Sequence, residues 1–332
     1  MDSGCPRVLA RYEGMKNMRM RASETVLTKL VQAYADEGKA RELLEAWRWP
    51  KGPVCPHCQN AGEKRISKLA AQNTSQRGVR QGVYFCGACR QQFTVTVGTV
   101  MERSHVPLSK WLMALNLLCS SKKSLSANQI HRMIGVTYKT AWFMCHRIRL
   151  GMTPDHRAEA KLTGTVEVDE TFVGLKGKRK TPVVALVQRH GLARVKVIAS
   201  VTQKNLGAAL GECVSREAVV NTDEHPGYKS PLKHWQAHQM VNHSRGEYQR
   251  QNPDGSKTST NTAESFFSLL KRAIIGAWHH ISREHLPRYA NEFAFRWNTR
   301  QDSDGKRLEI FARWIEGKRL TYRQVSQTLG VC

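Results

Sequence analysis

Two CxxC motifs, Cys55-Pro56-His57-Cys58 and Cys86-Gly87-Ala88-Cys89, stand 27 residues apart and limit this chain more than any other feature. Each pair suits a tight knuckle turn, and four thiolates complete a tetrahedron around one zinc ion. The spacing predicts a zinc ribbon held by Cys55, Cys58, Cys86 and Cys89. Its strands are expected at Tyr84-Phe85 and Phe93-Thr94-Val95-Thr96-Val97, with a basic loop through Lys64, Arg65, Lys68, Arg77 and Arg80. A redox CxxC would occur once, near a βαβ unit. His57 is an alternative ligand inside the first knuckle. Cys5, Cys119, Cys145, Cys213 and Cys332 are scattered, and an odd total of nine does not suggest a disulfide framework. A reducing compartment fits.

Charge narrows the partner. The chain of 332 residues carries a formal net charge of +25. Residues 1–150 hold 24 Lys and Arg against 9 Asp and Glu; the rest holds 28 against 18. Both parts are basic, so the excess points to a polyanion, and DNA fits better than a membrane. No apolar run approaches a membrane span, and the first residues lack the apolar core of a secretory signal. A cytoplasmic protein associated with DNA is the expectation.

Along the chain, residues 1–22 read as a basic leader and 23–50 as a helical segment, with Ser23 a candidate cap and Val26, Leu27, Leu30, Val31 and Tyr34 at helical spacing. The ribbon occupies 51–103. Residues 104–150 resemble a helix-turn-helix unit: an apolar stripe from Leu108 to Leu118, then Ser126–Val136 with Gly135 at a turn, then a helix Tyr138–Leu150 capped by Thr137. That last helix is expected to expose Lys139, His146, Arg147 and Arg149 and to bury Ala141, Met144 and Ile148, which makes Lys139, Arg147 and Arg149 candidate DNA contacts. Ordinary three-helix packing with a solvated basic face is the alternative.

A catalytic domain is expected over 163–300 and a C-terminal helical tail over 301–332. Thr165–Phe172 alternates apolar residues and ends in Asp169-Glu170. Val183–Gln188 and Arg194–Val201 follow as strands, 204–214 as a helix, and Val219–Asp223 as a fourth strand that again ends in an acid. Val241–Tyr248 reads as a short strand and turn, Gln251–Thr260 as a mobile loop, and Asn261 as the cap of a helix carrying Glu264. The order β-β-β-α-β is the ribonuclease-H-like layout: α/β, with a mixed sheet and flanking helices. Parallel pairing of the first and fourth strands would bring Asp169 and Asp223 together. With Glu264 they would supply the carboxylate oxygens that Mg²⁺ or Mn²⁺ prefers. Each acid also has a local reading. Asp223 sits in turn chemistry, and Glu264 has capping-box spacing from Asn261. Glu170 and Glu224 compete for the metal role, but on a strand each would face the opposite side from the Asp before it. His243 would orient a phosphate or assist proton transfer, or else hydrogen-bond a loop.

The segments EVDETFVGLKGKRK, NTDEHPGY, VNHSRGEY, TNTAESFFSLLKRAIIGAWHHIS and HLPRYANEFAFRWNTR resemble the catalytic domain of bacterial insertion-sequence DDE transposases of the ISXO type. CPHC…FCGACRQQFTVTVGTVMERSHVPLSKWL resembles their zinc ribbon and linker. The resemblance covers roughly residues 25–320. It implies a ribonuclease-H-like fold, DNA cleavage at element ends and strand transfer, with the family's acids on Asp169, Asp223 and Glu264 and with His243 in the Asn-His motif. The implied cofactors are structural zinc and catalytic Mg²⁺ or Mn²⁺. Lys176, Lys178, Arg179, Lys271 and Arg272 would neutralise phosphates, and a homodimer or larger assembly on paired DNA ends is expected. A DNA-binding regulator without catalysis and a structure-specific nuclease are the rivals.

Overall fold

The computed structural model describes residues 26–62, 65–70, 81–154, 160–175, 177 and 180–322. The expected leader and the Ser23 cap lie outside them. Two helices open the described chain, α1 (Val26–Ala35) and α2 (Glu37–Arg48). Asp36 starts α2 by accepting the Lys39 amide at 2.7 Å, as an N-cap carboxylate does.

The ribbon follows as a three-stranded antiparallel sheet, β1 (Ile66–Lys68), β2 (Tyr84–Cys86) and β3 (Gln91–Phe93). The expected strand through Val97 ends at Phe93. Residues 95–98 turn instead, and the Arg48 guanidinium takes the freed carbonyls of Val95 and Val97 at 2.6 and 3.1 Å. Trp49, Tyr84 and Phe93 pack ring against ring beneath, so the ribbon is joined to α2 rather than hanging from it.

Helices α3 (Leu108–Ser120), α4 (Ala127–Ile134) and α5 (Tyr138–Gly151) come next. Ser126 and Thr137 cap α4 and α5, and Gly135, at φ 62°, makes the left-handed turn between them that a residue with a Cβ resists. The sheet that follows has five strands: β4 (Thr165–Val173), β5 (Thr181–Gln188), β6 (Ala193–Val197), β7 (Val219–Thr222) and β8 (Ala237–Met240), with α6 (Gln203–Cys213) between β6 and β7. Spatial order is β6-β5-β4-β7-β8, antiparallel across β6, β5 and β4 and parallel across β4, β7 and β8. This mixed sheet with helices on both faces is the ribonuclease-H-like arrangement. Strand β6 is shorter than expected and ends at Val197.

Strand β8 was not legible in Gln236–Val241, whose polar residues hide the alternation. The strand expected at Val241–Tyr248 is a single 3₁₀ turn at His243–Arg245. The loop expected at Gln251–Thr260 holds a hairpin, β9 (Gln249–Gln251) with β10 (Lys257–Ser259). Helices α7 (Asn261–Ala273), α8 (Leu286–Asn298) and α9 (Asp304–Trp314) are the last among the described residues.

One sheet face, with Val183, Ala185 and Val187, packs on α7 and α8. The other, with Val166, Val168, Val184 and Leu186, packs on α6 and Tyr228, Leu232 and Trp235. A third core joins the ribbon to α1–α5 and also takes Phe295 of α8 and Leu308, Phe311 and Ile315 from α9 onward. The segment expected as a C-terminal tail therefore returns to the N-terminal unit.

Candidate functional site

The four ribbon sulfurs are brought together by the knuckles. Cys55 and Cys89 Sγ are 3.6 Å apart, Cys58 and Cys86 Sγ 3.7 Å, and all four lie within 4.8 Å of one another. Zn–S bonds of about 2.3 Å in a tetrahedron require sulfurs ~3.8 Å apart, so this donor set fits a structural zinc ion. The knuckle amides of Cys89 and Ala88 point at Cys86 and hold its thiol down to about 6, whereas burial and the neighbouring sulfurs push Cys89 up to about 12, so without a metal one thiol of the cluster deprotonates first. His57 is outside this sulfur cluster.

The acids are assembled differently. Register across the parallel pair sets Thr165 beside Val219 and Glu167 beside Asn221; continued two residues, it sets Asp169 beside Asp223, just past the end of β7. Val166 and Val168 lie in the α6-side core and Val173 in the α7-side core, so strand alternation puts Asp169 on the face that α7 covers. Glu264 is in the first turn of α7. Burial pushes the Asp169 carboxyl up to about 7, and the charges of Glu170, Asp223 and Glu264 push the same way, against the Glu170 amide that Asp169 accepts. Converging carboxylates of this kind favour a cation. Among the described residues their oxygens do not form a group as tight as the four sulfurs.

The competing readings resolve unevenly. Glu170 lies on the opposite face, where it accepts the buried Tyr228 hydroxyl and burial raises its pKa. Glu224 accepts the His243 and Ser244 amides at 2.9 and 3.0 Å and the Ser244 hydroxyl. Hydrogen bonds, led by that from Ser244, hold its carboxyl down to about 2. Asp223 does support a turn, accepting the His225 amide at 3.1 Å. Glu264 is no capping-box residue on Asn261. Thr260 is the N-cap and Asn261 is already helical, which corrects the expected Asn261 cap. His243 Nε2 is 3.7 Å from Glu264 Oε1 and 3.3 Å from the Thr260 hydroxyl, and its ring lies against Tyr248.

The expected basic face of α5 is largely not a face. Lys139 is exposed, its ammonium 5.0 Å from the Tyr322 ring centre, but His146, Arg147 and Arg149 are buried at 0%, 4% and 1% exposure. Arg149 pairs with buried Glu292 of α8 at 2.7 Å. Arg147 donates to the Glu102 carbonyl at 2.6 Å, and His146 Nδ1 lies 2.9 Å from Arg288. Sequence pattern reads charge as solvated; here α8 brings a buried carboxylate that offsets the cost of burying Arg149. Lys271 and Arg272 are exposed on α7, where Arg272 also bonds to Ser268. Lys176, Lys178 and Arg179 lie outside the described residues.

One residue that sequence reasoning passed over is Glu167, fully buried two positions before Asp169. Alternation with Val166 and Val168 puts it among the polar positions with Thr165 and Asp169, so the sequence carries no signal of its burial.

Family comparison agrees with the geometry. A family model described as the ISXO2-like transposase domain matches residues 161–298, and one described as the transposase zinc-ribbon domain matches 35–92. A curated relative from Halobacterium salinarum, an uncharacterized protein in transposable element ISH50, is 27% identical across 80% of this chain and 92% of its own length. A chain in the cryoEM structure of the simian T-cell lymphotropic virus intasome with PP2A regulatory subunit B56 gamma is 15% identical over 52% of this chain. This protein spans 62% of that chain at a TM-score of 0.26, too weak a likeness to bear on fold or function. The chain therefore carries a transposase zinc-ribbon domain followed by an ISXO2-like transposase domain.

Proposed function

We propose that this protein is a DDE-type DNA transposase. In this reading it binds the terminal inverted repeats of its element, cleaves there, and joins the resulting 3′-hydroxyl ends to target DNA. The observation that supports the reading is the parallel β4–β7 register, which pairs Glu167 with Asn221 and, continued two residues, would set Asp169 beside Asp223 near the first turn of α7, which carries Glu264. The donor set is all carboxylate, as hard divalent cations require, and Asp169, Asp223 and Glu264 would hold Mg²⁺ or Mn²⁺. When bound, the ions supply Lewis-acid activation of an oxygen nucleophile and stabilise the leaving oxygen. His243, beside Glu264, is suited to orient a phosphate oxygen.

DNA binding rests on the net charge of +25 and follows from the family. The ribbon and the α4–α5 unit would read the repeat, with Lys139 at the exposed start of α5. Lys176, Lys178, Arg179, Lys271 and Arg272 would neutralise phosphates. Work on paired ends implies a homodimer or larger assembly. No described helix is long and apolar enough to cross a membrane, and a cytoplasmic site of action fits.

The test mixes full-length protein, Mg²⁺ and labelled element-end DNA. Wild type should bind, cut and join. Asp169→Ala should bind and lose cleavage by about a thousandfold or more, the several kcal/mol that metal catalysis supplies. Wild-type protein that binds but neither cuts nor joins would sink the enzyme reading. Cutting without joining would favour a structure-specific nuclease on the same fold.

A further inference from the structure

We propose that Glu167 is a positioning residue: a buried bracket that sets the Glu264 helix against the strands carrying Asp169 and Asp223. This rests on the acidic-site reading above. Glu167 is completely buried in the middle of β4, where an acid is costly unless each oxygen is satisfied. Both are. Oε1 accepts Arg189 Nε and Nη2 at 3.1 and 2.7 Å. Oε2 accepts the backbone amides of Thr262 and Ala263 at 2.7 and 3.3 Å.

Those amides belong to the first turn of α7, which has no side-chain cap of its own at Thr260. A helix start leaves unpaired N–H groups and a partial positive charge. Glu167, distant in sequence, answers both. The next residue after Ala263 is Glu264, so the amides that Glu167 grips directly precede the third acid.

The bracket extends sideways at the same joint. Arg189 also donates to the Lys257 carbonyl at 2.8 Å and lies 3.2 Å from the Ser259 hydroxyl. Asn221, beside Glu167 in the β4–β7 register, donates to the Ser259 carbonyl at 3.4 Å. Glu167 and Asn221 thus stand two residues before Asp169 and Asp223 on their strands, and both fasten the chain entering α7. Asp169 and Asp223 are placed by sheet register. Glu264 is not in the sheet and needs this link.

Mn²⁺ binding to zinc-loaded, DNA-free, full-length protein, followed by the paramagnetic resonance of free Mn²⁺, tests the bracket without needing turnover. Asp169→Asn is the control and should abolish specific Mn²⁺ binding. Glu167→Gln keeps the shape but loses the charge. It should weaken Mn²⁺ by about 10–100-fold, the usual cost of losing a partner that orients metal ligands, and lower cleavage kcat while DNA affinity holds. A folded Glu167→Gln protein with wild-type Mn²⁺ affinity and kcat overturns the proposal while leaving the acidic site standing. If Glu167→Gln does not fold, Arg189→Gln at the half-buried end of the pair decides the same question by the same two readouts. If Asp169→Asn leaves Mn²⁺ binding intact, the acidic-site reading fails first and the bracket falls with it.

Discussion

The zinc ribbon and the acidic site are both sets of anionic side chains suited to a metal, yet they are built by opposite means. In the ribbon, each CxxC shapes its own knuckle, and the sulfurs already sit at 3.6 and 3.7 Å across the pairs. In the acidic site, Asp169, Asp223 and Glu264 come from two strands and a helix, and Glu264 is tied to the rest through buried Glu167. Local geometry makes the first site. Long-range packing makes the second, because β4, β7 and the start of α7 must come together before the acids do. A mutation far from the acids can therefore disturb them, whereas the ribbon answers chiefly to its own ligands and to zinc.

The largest test of that contrast is metal removal. Zinc binding to such ligand sets is worth about 10–16 kcal/mol in isolated fingers. Cys86→Ser should drop zinc well below one per chain by metal analysis and open the N-terminal unit to limited proteolysis. Specific Mn²⁺ binding by the acids should survive. Its loss would break the contrast by showing that the two sites fold as one.

Next is the seam. Arg149 and Arg296 both pair with the buried Glu292 carboxylate, at 2.7 and 2.5 Å, and they hold its pKa down against the upward push of burial. Glu292→Ala leaves a buried, uncompensated Arg149 and should cost about 3–5 kcal/mol, read as a lower urea midpoint. Arg296 reaches the Leu118 carbonyl at 2.5 Å as well, so α3 should loosen together with α8. A midpoint within error of wild type would show that the seam carries little of the stability.

Acid should expose the same seam more gently. Burial above all, then the charges of Arg149, His285 and Arg288, hold His146 down to about 2 from its ordinary 6.5. The folded state therefore keeps it neutral while the unfolded chain takes up a proton. Its stabilisation is whole above about pH 6.5 and drains as pH falls toward 2, at up to about 1.4 kcal/mol per pH unit for one proton. Denaturation midpoints measured from pH 7 to pH 4 should fall less steeply for His146→Asn than for wild type. Equal slopes would contradict a buried neutral imidazole.

The smallest effects belong to the surface. Lys139→Ala, or a Lys271→Ala and Arg272→Ala pair, should leave thermal stability unchanged and lower the salt slope of DNA binding by about 0.9 for each phosphate no longer neutralised. Arg147→Ala should do the reverse, costing stability without a specific change in that slope. If Arg147→Ala instead lowers the slope and spares stability, α5 presents a different face to DNA.

Much of this is legible in the sequence, and what is not has a common cause. The ribbon ligands follow from spacing, and the Thr137 cap and the Gly135 turn from local chemistry. The β-β-β-α-β order follows from alternation in Thr165–Phe172 and from the short apolar or β-branched runs Val183–Gln188, Arg194–Val201 and Val219–Asp223. Strand β8 and the β9–β10 hairpin escape such a reading because their residues are polar, and neighbours in the sheet or turn, not apolar patterning, hold them. Arg147 and Arg149 read as a solvated face because helical spacing cannot see Glu102 or Glu292 arriving from elsewhere.

By itself, then, the sequence determined what short-range forces govern: metal knuckles, helix starts, turn residues, strand alternation and the basic charge that suits DNA. The tertiary structure alone decided what depends on distant partners. It put α9 back on the N-terminal core, buried Arg149 of α5 against α8 and Arg147 against the Glu102 carbonyl, and gave Glu167 two amides and a guanidinium to satisfy. A buried charge is stable only where its partners converge, and that convergence is a property of the packed chain.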